Sequence, residues 1–446
     1  MDTPEKKRLR IVTTLVETFG LSPAVASVVA LGLFAICAAA VVWVIQSAPP
    51  GTLVLTSGPA GSSFHRWATA YQKALAGDVT LEIRVSSGSM DNLQRLQAAD
   101  SGVDIGFVQG GMAKEENLSG LMSLGTIAYQ PLWIFYRRAT AITRLAELEG
   151  QRIAVGPAGS GTRALALRLL QANGITGAPT TFVDLDAETA APALLEGRLD
   201  AVFLMGDSAP MQTLRSLMRA PNVQLFDFKQ ADAYVRRHAF LNKFELPQGT
   251  LDLGKNVPDH DVTLVGPTVE LVAREGLNSA LSDLLLKAAK EVHGRSGFLQ
   301  KRGEFPAPSE HEIPLSEDAQ RYYKSGEGFI YRTVPSFWLA SLITRTLVAI
   351  VPLALILIPA IRLLPVGYRM SVQLRLYRYY RPLLRIERET FAPLSPERRN
   401  ELLTRLDEIE QSINRLKVPA SFADRFYWLR GYLAFVRQRL QTPSND

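Results

Sequence analysis

The chain has 446 residues, too many for one ordinary domain, and a mild net charge of +6 from 49 Lys+Arg against 43 Asp+Glu. No basic run is interleaved with aromatics in its central part, which argues against nucleic acid as a partner. The single cysteine, Cys37, rules out an internal disulfide, and five scattered histidines give no metal-ligand spacing.

Residues 1–22 are polar and carry Lys6, Lys7, Arg8 and Arg10 ahead of an uncharged apolar run, Ala24 to Ile45, so that 1–23 is expected as a cytoplasmic N-terminus. That run is about the length a membrane-crossing helix needs, which predicts an uncleaved anchor over 24–46. Ile36 stands where a lipid-anchoring cysteine at Cys37 would require a small residue.

Residues 51–335 alternate between short β-branched runs and amphipathic stretches. Strands are expected at Thr52–Thr56, Val79–Val85, Val103–Gln109, Pro131–Arg137, Thr181–Val183, Ala201–Met205 and Val262–Val272. Most are followed by a turn of small residues and then a helix. Alternation of this kind implies parallel sheets flanked by helices, and two such sets imply two lobes. Lobe 1 is expected over about 51–130 and 262–330, and lobe 2 over about 131–261, with hinge strands near 123–137 and 259–274. Ligands of open α/β sheets bind at the carboxyl ends of the strands, where these turns fall.

The fullest example is Ile153 to Leu165, IAVGPAGSGTRAL. A strand stops at Gly156-Pro157, a turn of small residues follows, and a helix begins near Thr162, which could cap it. The order aims free N–H groups and a positive dipole end beyond the strand, and Arg163 adds a planar fork of donors. This is an anion-receiving corner; on a desolvated charge pair, Arg163→Ala should weaken a carboxylate ligand by roughly 2–5 kcal/mol. It is not a nucleotide loop, since no GxGxxG and no Lys-Ser/Thr pair is present.

A second apolar run, Trp338 to Ile361, lies in an expected span over 337–363; it contains Arg345, Pro352 and Pro359. A charge there is costly unless it reaches the interface or a partner. Arginines crowd the far side, from Arg362 to Arg388. With the basic N-terminus, this predicts that both termini are cytoplasmic and that 51–335 lies outside a bacterial inner membrane. The tail, 364–446, reads as a helical hairpin of 395–416 and 421–440, broken at Lys417-Val418-Pro419.

Four segments in series carry a family resemblance: TSGPAGSSFHRWATA at 56–70, SSGSMDNLQRL at 86–96 with VDIGFVQ at 103–109, LEGQRIAVGPAGSGTRALALRLL at 148–170, and LLEGRLDAVFLMGDSAP at 194–210. The chain resembles the TAXI-type solute-binding proteins associated with TRAP transporters. The resemblance implies a two-lobed, periplasmic-binding-protein-like (type II) α/β fold with hinge strands, here joined to two transmembrane helices and a C-terminal helical hairpin. It implies a non-enzymatic receptor without cofactor, holding a small carboxylate of amino-acid or dicarboxylate type for a TRAP-type permease. Ser62, Ser63 and Phe64 stand where the family usually has Gly-Thr-Tyr. Ser87, Gly88, Ser89, Asn92 and Gln109 match one ligand-facing side, and Ser160, Gly161, Thr162 and Arg163 match the other, with Met205-Gly206 facing the same cleft. A tether at each end departs from the family and suits equally a sensor acting through its tail. No G-x-S-x-G elbow or Ser-His-Asp set suggests an enzyme.

Overall fold

The computed structural model describes residues 12, 13, 15, 16, 21–112, 118–297, 299–309, 312–392, 394–416 and 422–441. Lys6, Lys7, Arg8 and Arg10 and the Lys417–Pro419 break lie outside the described residues. In chain order the elements are α1 (Pro23–Gln46), β1 (Thr52–Thr56), α2 (Ser63–Ala74), β2 (Thr80–Arg84), α3 (Ser89–Gln97), β3 (Ile105–Gln109), β4 (Leu121–Tyr129) and β5 (Trp133–Tyr136). Next come β6 (Arg152–Ala154), α4 (Gly161–Ala172), β7 (Thr181–Val183), α5 (Ala187–Leu195), β8 (Ala201–Leu204), α6 (Met211–Met218), β9 (Gln224–Leu225), α7 (Ala231–Arg237) and β10 (Leu241–Leu246). The chain continues through β11 (Val262–Arg274), α8 (Ser279–His293), α9 (Glu317–Ser325), α10 (Phe329–Thr333), α11 (Phe337–Glu389), α12 (Pro396–Asn414) and α13 (Ala423–Gln441).

These elements form two units, Pro49–Ser341 and a second of Met1–Ala48 with Leu342–Asp446. The first contains two sheets, ordered β10-β11-β3-β1-β2 (with β4 also on β11) and β7-β6-β8-β5-β9. In each sheet one central strand has parallel partners on both sides: β1 with β2 and β3, and β6 with β7 and β8. This is the two-lobed, periplasmic-binding-protein-like α/β fold. Apolar faces of the helices close the cores: Phe64, Ala68 and Tyr71 of α2 lie with Leu53 and Leu55 of β1, and Leu165, Ala166 and Leu169 of α4 lie with Ile153 of β6. A fully buried aromatic or leucine side chain contributes on the order of 1.5–3 kcal/mol, so the cores are set by these periodic positions.

Two details depart from the sequence reading. The hinge expected near 123–137 contains, besides the strand expected at Pro131–Arg137, a second strand: β4 and β5 lie in different sheets. Gln130-Pro131 separates them, and proline has no N–H to extend a ladder. β10, not among the expected strands, pairs antiparallel with the Val262–Pro267 half of β11, and its Phe244 and Leu246 pack in the core beside α5 and α6. β11 bridges the cores: Val262 and Leu264 pack beside α5 and α6, whereas Val269, Leu271 and Ala273 pack beside α2 and α8. Where β11 passes the β4–β5 crossing, a Cβ on Gly266 would lie 2.2 Å from the Gln130 carbonyl oxygen, so only glycine fits.

In the second unit, two helices are long and apolar enough to cross a membrane, Pro23–Gln46 and the Phe337–Ala360 part of α11, with mean hydropathies of 2.8 and 2.3. Arg345 donates to the Val44 carbonyl at 2.6 Å, in the last turn of α1, where backbone oxygens lack helical partners. Ser22 at the other end of α1 donates its N–H to the Tyr368 hydroxyl at 3.2 Å. These ties are separated by about 34 Å of helix at ~1.5 Å per residue, close to a hydrocarbon core of about 30 Å. α11 does not stop after the apolar run but continues through Pro352 and Pro359 to Glu389. Its apolar positions Val372, Leu376, Leu383 and Ile386 pack with α12 and α13, so the tail core is built by three helices, not by the hairpin alone.

Candidate ligand-binding site

The segments that follow β1, β3, β6 and β8 meet one another and the N-termini of α2, α3 and α4. Two backbone hydrogen bonds join the lobes there, Ser63 N–H to the Gly206 carbonyl at 2.7 Å and Asp91 N–H to the Gly159 carbonyl at 2.9 Å, and the Gln109 side chain lies close against Gly161.

Several residues expected to face a ligand act instead on the scaffold. Ser62 caps α2 by accepting from His65 N–H, and Ser63 accepts from Arg66. The Phe64 ring is fully buried against Trp67 and Phe107, inside the core. Asn92 is buried under the turn; its amide donates to the Ser57 and Phe107 carbonyls at 2.5 and 2.9 Å and accepts from the Thr56 hydroxyl. It fastens the ends of β1 and β3 together. Ser87 is half-buried, its N–H held by Asp91 at 2.9 Å. Ser160, not Thr162, caps α4: its hydroxyl accepts from Arg163 N–H at 3.1 Å and donates to the Pro157 carbonyl. The Arg163 side chain turns to Asp184 at 2.8 Å, an ion pair with side-chain exposures of 38% and 42%.

The anion-receiving corner itself is present, and an acid of the chain fills it. Asp207, two residues beyond Met205 at the end of β8, is fully buried. One of its oxygens accepts from Gly161 N–H at 2.7 Å; the other accepts from the Thr162 hydroxyl at 2.8 Å and the Ser208 hydroxyl at 3.1 Å. Ser89 N–H, at the start of α3, also donates to it. α3 has Gly88 as its N-cap and no side-chain cap, so this N–H is available to the acid. A Cβ on Gly88 would lie 2.7 Å from the Asp207 carboxylate, and its φ of +129° favours glycine as well. Burial holds the Asp207 carboxyl above its ordinary value, against the hydrogen bonds from Thr162, Gly161, Ser208 and Ser89, which pull it down.

Beside the corner, Gln109 is 1% exposed, and neither polar atom of its side-chain amide has a partner. Its backbone N–H donates to the Ser89 hydroxyl at 2.6 Å, which fixes the strand end and leaves the amide against Gly161. Met205 and Gly206, expected at the cleft, are both buried, and the next residue is the acid that takes the N-terminus of α4. The signal was an aspartate in a turn of small residues after an apolar strand, Gly206-Asp207-Ser208. Among the described residues, no group of three His, Cys, Asp or Glu side chains could hold a metal ion.

Residues 56–325, more than half of the chain, match the NMT1-like family, which is periplasmic-binding-protein-like. The chain belongs to that family. Among solved structures, this NMT1-like chain is similar to an ancestral arginine-binding protein bound to arginine, at 17% identity and a TM-score of 0.37 over 56% of this chain and 96% of that one. It is similar to the periplasmic aliphatic sulphonate binding protein SsuA from Escherichia coli, at 15% identity and a TM-score of 0.34 over 55% and 69% of the two chains. A histidine kinase sensor domain with similarity to periplasmic binding proteins matches at 14% identity and a TM-score of 0.34 over 54% and 90%.

Proposed function

We propose that the chain is a membrane-tethered extracytoplasmic solute-binding protein, without enzymatic activity, that receives a small organic acid in its interlobe cleft. The observation that carries this reading is the convergence of Gly161 N–H, Ser89 N–H and the Thr162 and Ser208 hydroxyls on one carboxylate. Donors fixed in advance, at two helix N-termini and away from water, are what an anion receptor requires. The motifs at 56–70, 86–109, 148–170 and 194–210 support the narrower TAXI-type reading, with amino acids or dicarboxylates as solutes and a TRAP-type permease as partner. Both termini are placed in the cytoplasm on the flanking basic residues.

One observation favours a second reading, a ligand sensor acting through its tail. α11 runs without interruption from the second apolar span into the three-helix tail core, so it can carry a displacement along its length. Deleting 395–446 separates the two: a receptor that hands solute to a permease keeps uptake, whereas a sensor loses its output.

The test is thermal melting of the detergent-solubilised full chain against small carboxylates, amino acids and sugars. A ligand that binds only the folded state raises Tm, by ~2.7 kcal/mol of stability at a hundredfold excess over Kd. A shift with acids alone is expected; no shift with any acid, in the wild type or in the variant described below, removes the receptor reading. In a Cys37→Ser background, cysteines replacing Ser309 and Ser412 should label from outside and inside, respectively; external labelling of the second overturns the orientation.

A further inference from the structure

We infer that Asp207 is a built-in competitor for the anion-receiving corner, so that a carboxylate from solution binds there only in exchange with the Asp207 side chain. The inference rests on the receptor reading above and concerns how that site is regulated and what it selects.

The donors around Asp207 are those a receptor presents to a ligand. The N-terminus of α3 comes from one lobe and that of α4 from the other, and both aim at the same carboxylate. Two carboxylates cannot both be satisfied by this set, because each donor is already taken by an Asp207 oxygen and like charges at one site raise each other's pKa. Leaving either one buried without donors is costlier still. Occupation is therefore exclusive. Asp207 sits in the turn after β8, and that turn is fastened to the other lobe through the Ser63–Gly206 hydrogen bond. Withdrawal of the side chain and loosening of that contact between the lobes are one movement.

Gln109 shows what the internal acid leaves unsatisfied. Its amide is buried, aimed at the same corner, and without partners for its donor and its acceptor. An unmade hydrogen bond on a buried group is unfavourable, and a carboxylate alone does not supply both partners. A solute with a hydroxyl or amino group beside its carboxylate would supply them. The exchange thus selects α-hydroxy or α-amino acids over simple carboxylates: the added hydrogen bonds tip the balance against a tethered side chain that is always present.

The experiment is calorimetric titration of the detergent-solubilised full chain with acetate and with glycolate. Asp207→Gly removes one acetate-sized group from the corner and leaves its donors. We expect this variant to bind acetate at least tenfold more tightly than the wild type, and glycolate more tightly than acetate. Adding Gln109→Ala should erase the glycolate preference. Asp207→Asn keeps the shape without the charge and carries the same comparison where the glycine variant does not fold. Equal acetate affinity in wild type and variant overturns the competition while leaving the receptor in place. Folded variants that bind neither acid, beside a wild type that binds none, overturn the receptor reading itself. Equal binding of the two acids by Asp207→Gly removes Gln109 from the selection.

Discussion

Two buried carboxylates in the same unit, both pushed up by burial, differ in the donors they meet. Asp207 lies in a turn facing two helix N-termini and collects donors on both oxygens. Glu270 lies in the middle of β11, between Val108 of β3 and Thr126 of β4, at 3% exposure. Its Oε2 has no partner, and its one supporting hydrogen bond comes from Ser123. Burial, with a smaller push from Glu312, raises the Glu270 carboxyl to about 7. The difference is one of available donors rather than depth. Inside a sheet the backbone N–H groups are committed to the ladder, whereas the first N–H groups of a helix have no internal partner and can serve an anion. Burial raises both carboxyls, but the one at the strand end has four donors to offset it and the one in the strand interior a single serine.

The sharpest way to test this contrast is Glu270→Gln. Because the folded pKa lies above the ordinary 4.5, the folded state holds its proton longer. The wild type then loses stability as pH rises from about 4.5 to about 7, with the loss complete above, by on the order of 3 kcal/mol. Glu270→Gln should flatten this dependence and melt higher than wild type at pH 8; parallel pH profiles would mean that Glu270 is charged at neutrality. Next in size is Gly161→Ala. The added Cβ would lie 2.0 Å from Gln109 Oε1 and 3.0 Å from Ser89 Cβ, so overpacking by about 1–3 kcal/mol is expected in thermal melts. An unchanged Tm would show that Gln109 swings clear and that the corner is loosely filled.

Arg163→Ala should have the smallest effect. The loss of roughly 2–5 kcal/mol expected on a desolvated pair does not apply to a guanidinium and a carboxylate that are 38% and 42% exposed. An exposed pair contributes about 0–1 kcal/mol, so stability and acid affinity should change within that range. A larger drop in affinity, seen by titration, would return Arg163 to the site.

Much of this architecture was legible along the chain. β1 and β2 fall within the runs read as strands and β6 overlaps one, and the turns of small residues after them precede helices, because β-branched runs and 3.6-residue periodicity are local signals. The two apolar spans were equally plain by length and lack of acid. Less was visible where a second signal overlaid the first. Arginines between Arg362 and Arg388 concealed the spaced apolar positions that continue α11, and β10 was missed because its alternation is short and broken by Lys243 and Glu245.

The sequence by itself determined the two apolar spans, the α/β grammar of the central unit and the helix N-terminus that follows β6, since each depends on residues adjacent in the chain. Tertiary structure alone decided what stands against that N-terminus. Asp207 reaches the N-terminus of a helix that begins 46 residues earlier and, across the cleft, that of a helix from the other lobe. It also decided that Arg163 faces outward to Asp184, and that Asn92 and Phe64 serve the scaffold. Spacing along a chain shows which groups a helix end can offer; only the packing of distant elements fixes which group takes them.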